Sequence, residues 1–132
     1  MYAHAYQQYR QTQVETAGPG QLILMLYNGG IRFCSQAMGA IERGQLEEAH
    51  KALVRSQQIV DELMAALDLE TGELAQNLMR LYEYMNQCLL QANMKKDLKT
   101  LAQVRDMFTE LRDTWQTMLK SGRGAGPGRA VL

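Results

Sequence analysis

Apolar residues recur at spacings of three and four along most of this chain, the period of an α-helix with one buried face. From Gln21 the positions Ile23, Tyr27, Gly30, Cys34, Ala37 and Ile41 repeat in this way, and Gly44 ends the run. A second stripe carries Leu46, Ala49, Leu53, Val60, Leu63 and Leu67, with polar Gln57 near its middle, and Leu67 to Gly72 forms the connection. Leu74, Leu78, Leu81, Met85, Cys88 and Ala92 give a third, and Asn93 to Asp97 makes the next turn. Leu101, Val104, Phe108, Leu111, Trp115 and Met118 form the fourth. Each predicted helix has about 20–25 residues and so spans roughly 30–37 Å. Four amphipathic helices of matched length, joined by short loops, bury their stripes together as antiparallel neighbours. The expected fold is therefore all-α, an up-down four-helix bundle. No strand-like alternation competes with it.

The ends read differently. Residues 1–16 are polar and rich in Gln and Tyr, and Gly18-Pro19-Gly20 then breaks the chain. Pro19 suits the first turn of a helix, where its missing N–H costs nothing. After Lys120 the run Ser-Gly-Arg-Gly-Ala-Gly-Pro-Gly-Arg is too poor in apolar residues to pack. We expect a loose N-terminal segment over 1–16, a bundle over 17–120 and a disordered tail over 121–132.

Charge narrows the function classes. Lys+Arg and Asp+Glu each total 14 in 132 residues, so the formal net charge is zero. Nucleic-acid binding without a basic excess has no electrostatic footing, and neither has a purely electrostatic membrane mode. No basic start followed by an apolar stretch opens the chain, so no secretory signal is expected, and no apolar run is long enough for membrane insertion. Cys34 and Cys88 lack zinc or CxxC spacing, which fits reduced thiols in the cytosol.

Chemistry is sparse. A di-iron bundle needs paired Glu-x-x-His motifs and two further inward carboxylates. Glu47-Glu48-Ala49-His50 supplies one motif, but the other histidine is His4 in the N-terminal segment, so no metal or other cofactor is expected. Both cysteines lie on apolar stripes, where a thiol behaves as a small hydrophobe. Glu47, Glu48, Asp61, Glu62 and Glu110 read as solvated helix faces, and Gly29-Gly30 as a point of close helix packing. Phosphate-loop, nucleotide and nucleophile-elbow motifs are absent. An enzyme is not expected.

Excess apolar character is the more informative oddity. Leu22-Ile23-Leu24-Met25-Leu26-Tyr27 is apolar on every side of nearly two turns, although a bundle helix needs only about a three-sevenths apolar face. Nine methionines add flexible thioethers suited to surfaces that repack around ligands. Periodicity alone weighs a partner-binding surface and a central core position equally.

One combination of residues is specific. Tyr9, Val14 and Thr16-Ala17-Gly18-Pro19 lead into Leu22 through Tyr27 and Asn28-Gly29-Gly30-Ile31-Arg32-Phe33. Arg55-Ser56-Gln57-Gln58-Ile59-Val60-Asp61-Glu62-Leu63 follows, then Leu81-Tyr82-Glu83-Tyr84-Met85, Ala92-Asn93 and Leu111-Arg112-Asp113-Thr114-Trp115. In order and spacing these resemble the flagellar export chaperone family FliS over residues 9–115. The chain departs from the family at Gly18, where Ser or Thr often caps the helix, and at Gly20, where acidic or amide residues are common. Both changes are expected to loosen the start of the first helix.

The resemblance implies a helical bundle that holds the C-terminal segment of flagellin in the cytosol, prevents premature polymerisation and keeps the subunit fit for export. Our expected contact residues are Leu22, Met25, Leu26 and Tyr27, together with Tyr82 and Met85. Tyr6 and Tyr9 are expected to act as a lid over that surface. The resemblance also implies other flagellar proteins as expected partners, such as an anti-sigma factor or an export-gate component. The rival reading is a structural helical homodimer or a regulatory interaction module whose extra apolar face meets a second copy.

Overall fold

The computed structural model describes residues 2–121, with side chains from Gly18 onward. Its elements are α1 (Tyr2–Glu42), α2 (Leu46–Ala65), a 3₁₀ turn (Leu69–Thr71), α3 (Glu73–Lys95) and α4 (Leu98–Lys120). No strand occurs among the described residues. Helices α1 and α2, α2 and α3, α3 and α4, and α4 and α1 pack as neighbours, closing a square. Short connections make successive helices antiparallel. The closing pair is antiparallel too, because Trp115 near the end of α4 donates its indole N–H, at 2.8 Å, to the carbonyl of Gly20, which opens the stretch of α1 after Gly18. This is the bundle that the four stripes predict.

Local chemistry explains the boundaries. Gly18 has φ 77° and ψ 170°, so α1 is two helical stretches meeting at a non-helical residue. Its positive φ suits a residue without Cβ, and Pro19 disfavours an α conformation in the residue before it. The lid expectation for Tyr6 and Tyr9 and the tail over 122–132 lie outside the described side chains and residues.

Helix α1 ends in a paired capping arrangement. Gly44 takes φ 71°, its N–H reaches the Ile41 carbonyl at 3.0 Å, and Gln45 N–H reaches Ala40 at 2.8 Å. Asp97 caps α4 by accepting from the N–H groups of Lys99 and Thr100.

Two glycines set how close α1 comes to α4. A Cβ on Gly30 would stand 2.5–2.7 Å from the Phe108 ring, and one on Gly20 would stand 2.8 Å from Leu119 Cδ2. Gly20 therefore seats the stretch of α1 after Gly18 against α4, where the sequence suggested loosening. Gly30 bears out close packing, and Gly29 makes the tight contact on the other side, toward Ile59 of α2.

The core comprises Ile23, Leu26, Tyr27, Cys34 and Ala37 from α1, Leu53, Val60 and Leu63 from α2, Tyr82, Met85, Leu89 and Ala92 from α3, and Leu101, Val104, Phe108 and Trp115 from α4. On α2 the buried polar residue is Ser56, whose hydroxyl lies 3.7 Å from the Cys34 sulfur, while Gln57 sits at the edge.

Helix α3 departs from its expected stripe. Leu74 is 53% exposed and Leu81 half-buried, whereas Ala75, Tyr82 and Leu89 point inward. The chain offers two overlapping stripes here, since Ala75, Leu78, Tyr82, Met85, Leu89 and Ala92 are also spaced by threes and fours. Apolarity alone favours the one with Leu74 and Leu81. The structure takes the one with Tyr82, whose hydroxyl meets that of Tyr27 at 2.7 Å across the diagonal of the bundle.

Candidate functional site

Because α3 buries one stripe, the other runs from exposed Leu74 through half-buried Leu81 to buried Cys88. Leu74, Leu81 and Cys88 recur every seven residues on one flank of α3. Asn86 and Asn93 mark the other flank, where their amides bond Asp61 and His50 of α2 at 2.8 and 2.9 Å. The first flank is therefore turned toward α4, with Tyr84 at its outer edge. Leu90 and Met94 stand on the α2 side.

Exposure follows this division. The large apolar side chains most open to solvent among the described residues are Leu46, Leu69, Leu74, Tyr84, Leu90 and Met94. Four of these six belong to α3, and Leu69 lies in the turn just ahead of it. Leu46 begins α2, and the antiparallel pairing that joins His50 to Asn93 brings it toward the end of α3. Met94 is the extreme, 76% exposed. Apolar side chains on both shoulders of one helix form a surface that can seat the apolar face of a partner segment.

The expected contact residues fall into two groups. Leu22 and Met25 are half-buried on α1 and keep some surface. Leu26, Tyr27, Tyr82 and Met85 are core residues in this conformation, from 4% exposed down to none. The apolar run Leu22 to Tyr27 of α1 is largely absorbed by the core, with Leu22 and Leu24 packed against it. Of the exposed apolar residues on α3, the sequence pattern assigns Leu74 to the core stripe, and Tyr84, Leu90 and Met94 belong to no expected stripe. For Leu74 the signal available was the second stripe, offset by one residue, that takes the core in its place.

Titratable groups at the centre are held neutral. Burial pushes the Cys34 thiol up to about 11, against the lowering effect of Ser56 and Arg105. Burial also raises the Tyr27 phenol, opposed by its bond to Tyr82, and raises Tyr82 further, with Tyr27 adding to the effect. Neither cysteine is disulfide-bonded, and both are buried. His50 is exposed and bonds Asn93, consistent with a boundary residue. Among the described residues no group of three His, Cys, Asp or Glu is placed to hold a metal ion. None of their helices is long and apolar enough to cross a membrane.

The sequence family described as flagellar protein FliS matches residues 2–122. The chain is 40% identical over 118 residues to the flagellar secretion chaperone FliS of Bacillus subtilis, covering 89% of this chain and 88% of that one. It is 40% identical over 121 residues to the flagellar secretion chaperone FliSB of Pseudomonas aeruginosa, covering 87% and 96%. Similarity to the flagellar secretion chaperone FliS of Salmonella typhimurium is 36% over 114 residues, covering 82% and 84%.

Proposed function

The chain belongs to the FliS family of flagellar secretion chaperones, and from that premise we propose that it captures the disordered C-terminal segment of flagellin in the cytosol. Holding that segment blocks premature polymerisation and keeps the subunit fit for export. The work is binding and not catalysis. The observation that carries this reading is the concentration of exposed apolar side chains on α3 and the turn before it.

The mechanism is helix-in-groove capture. Each apolar anchor that the tail buries contributes about 1.5–3 kcal/mol. Ordering the tail costs on the order of 2–5 kcal/mol, so several anchors are required. Leu74, Tyr84, Leu90 and Met94 supply them on α3, and Leu22 and Met25 on α1. Leu26, Tyr27, Tyr82 and Met85 contribute from beneath by fixing where α1 and α3 stand. Tyr6 and Tyr9 act as the lid that competes with the tail for apolar surface.

The test is calorimetric titration of flagellin, with and without its C-terminal segment, into the full chain. Binding should require the segment, and Leu90→Glu combined with Met94→Glu should weaken it at least tenfold. Equal binding to truncated flagellin would overturn the reading. A tight dimer in sedimentation, blind to flagellin and broken by the same pair, would establish the homodimer instead.

A further inference from the structure

Away from α3, the face shared by α1 and α2 carries a cluster that the flagellin reading does not use. Phe33 of α1 is half-buried there. The Arg32 guanidinium lies 5.0 Å from its ring centroid, and Arg55 reaches the same ring from α2 at 5.6 Å. Two like charges thus converge on one aromatic ring. Stacking on the ring offsets part of their repulsion, and among the described residues the N–H edges of the two guanidinium groups meet no acceptor.

Neither guanidinium has a carboxylate partner among the described residues. The neighbours of Arg32 at three and four residues along the helix are Asn28, Gly29, Ser35 and Gln36, and those of Arg55 are Lys51, Ala52, Gln58 and Ile59. Ion pairs among the described residues join Lys51 to Glu47, Arg105 to Asp106 and Arg112 to Asp113, and Arg32 and Arg55 enter none of them. In a chain with zero formal net charge, this is a local positive site with an aromatic floor.

We propose that Arg32, Phe33 and Arg55 form a docking site for an acidic segment of a protein partner, one that carries a carboxylate beside an aromatic side chain. The carboxylate accepts N–H bonds from the two guanidinium forks, and the partner's ring rests on the open part of Phe33. A peptide fits better than a polyanion, because a phosphate backbone needs a longer basic track than two arginines and the balanced surface around them provide. The proposal shares no residue with the flagellin reading, whose anchors are Leu22 and Met25 on α1 and Leu74, Tyr84, Leu90 and Met94 on α3.

The test is a heteronuclear NMR titration of the full chain with an acetylated Glu-Phe-Asp amide. Signals of Arg32, Phe33 and Arg55, including the arginine Nε–H groups, should move together. Arg32→Gln and Arg55→Gln should each weaken binding about fivefold, as for an exposed charge pair, with circular dichroism unchanged because both side chains are exposed. The Gln-Phe-Asn isostere should fail to bind. Lysine at both positions should restore only part of the affinity, since it keeps the charge and loses the fork. Flagellin-tail affinity of the glutamine variants should match the parent. Shifts centred elsewhere, or none, would overturn the proposal. So would equal shifts with inorganic phosphate, or tighter binding of a short single-stranded DNA at the same residues.

Discussion

Tyr27 and Tyr82 each place a phenol where leucine would pack without a polar atom, and each is buried. Their mutual bond makes that arrangement tolerable, because a buried hydroxyl without a partner costs about 1–3 kcal/mol. Tyr27→Phe alone should therefore destabilise the bundle, and so should Tyr82→Phe alone. The double variant should cost less than the two summed, with a coupling of about 1 kcal/mol in chemical denaturation. Additive effects would show that the pair is not a unit. The same groups set the alkaline limit. Cys34, Tyr27 and Tyr82 all titrate higher when folded, so their contribution is whole below their unfolded values and is lost as pH rises toward the folded ones. Melting temperature should fall from about pH 9 upward, where the thiol is first released in the unfolded chain. Tyr27→Phe with Tyr82→Phe should flatten the steeper part above pH 10. Both thiols should resist a labelling reagent until the protein unfolds; fast labelling of native Cys34 would contradict its burial.

At the scale of elements, the seam between α1 and α4 tests the packing argument. Gly30→Ala drives a Cβ into the Phe108 ring, a rigid neighbour that is itself enclosed. Overpacking of this kind costs about 1–3 kcal/mol. Gly20→Ala meets only the movable end of Leu119, and alanine favours the helix. It should change stability by less than about 0.5 kcal/mol. Thermal denaturation of the two variants side by side checks this, and equal losses would mean that the helices do not approach as described. Close packing here was legible in Gly29-Gly30. The seating of Gly20 was not, because its reason is Leu119, nearly a hundred residues away. Helix α3 failed to declare its face for a similar reason. Two stripes satisfy the same period, and the choice rests on a hydroxyl partner supplied by α1.

For the whole molecule, the division between a core-building α1 and an apolar outer α3 decides which substitutions inform on binding. Leu26→Glu would unfold the bundle and report nothing about a partner, since Leu26 is buried. Met25→Glu, at a half-buried position, should leave the helical spectrum intact and weaken flagellin-tail binding. Raising salt from low to physiological should matter less than this substitution, given the balanced charge. A steep salt dependence would contradict an apolar groove. A version starting near Thr16 tests the lid. If the lid is closed about nine-tenths of the time, removing it should tighten flagellin-peptide binding roughly tenfold in calorimetry. Unchanged affinity would remove the lid, and weaker binding would make Tyr6 and Tyr9 direct contacts.

Helix number, order and antiparallel course were determined by the sequence itself, because apolar period, loop length and breaker residues such as Pro19 and Gly44 are local properties. The motifs around Gly30, Arg55 and Trp115 also carried the family. Tertiary structure alone decided which apolar residues remain outside. Leu22 to Tyr27 is apolar at every position and Leu74 and Leu81 are leucines at helical spacing, so both read as core along the chain. Their burial differs because α1 packs against both α2 and α4 through Gly29 and Gly30, whereas α3 turns inward on Tyr82 and leaves Leu74, Tyr84, Leu90 and Met94 in solvent. Burial depends on what faces a side chain, and a one-dimensional pattern does not contain its neighbours.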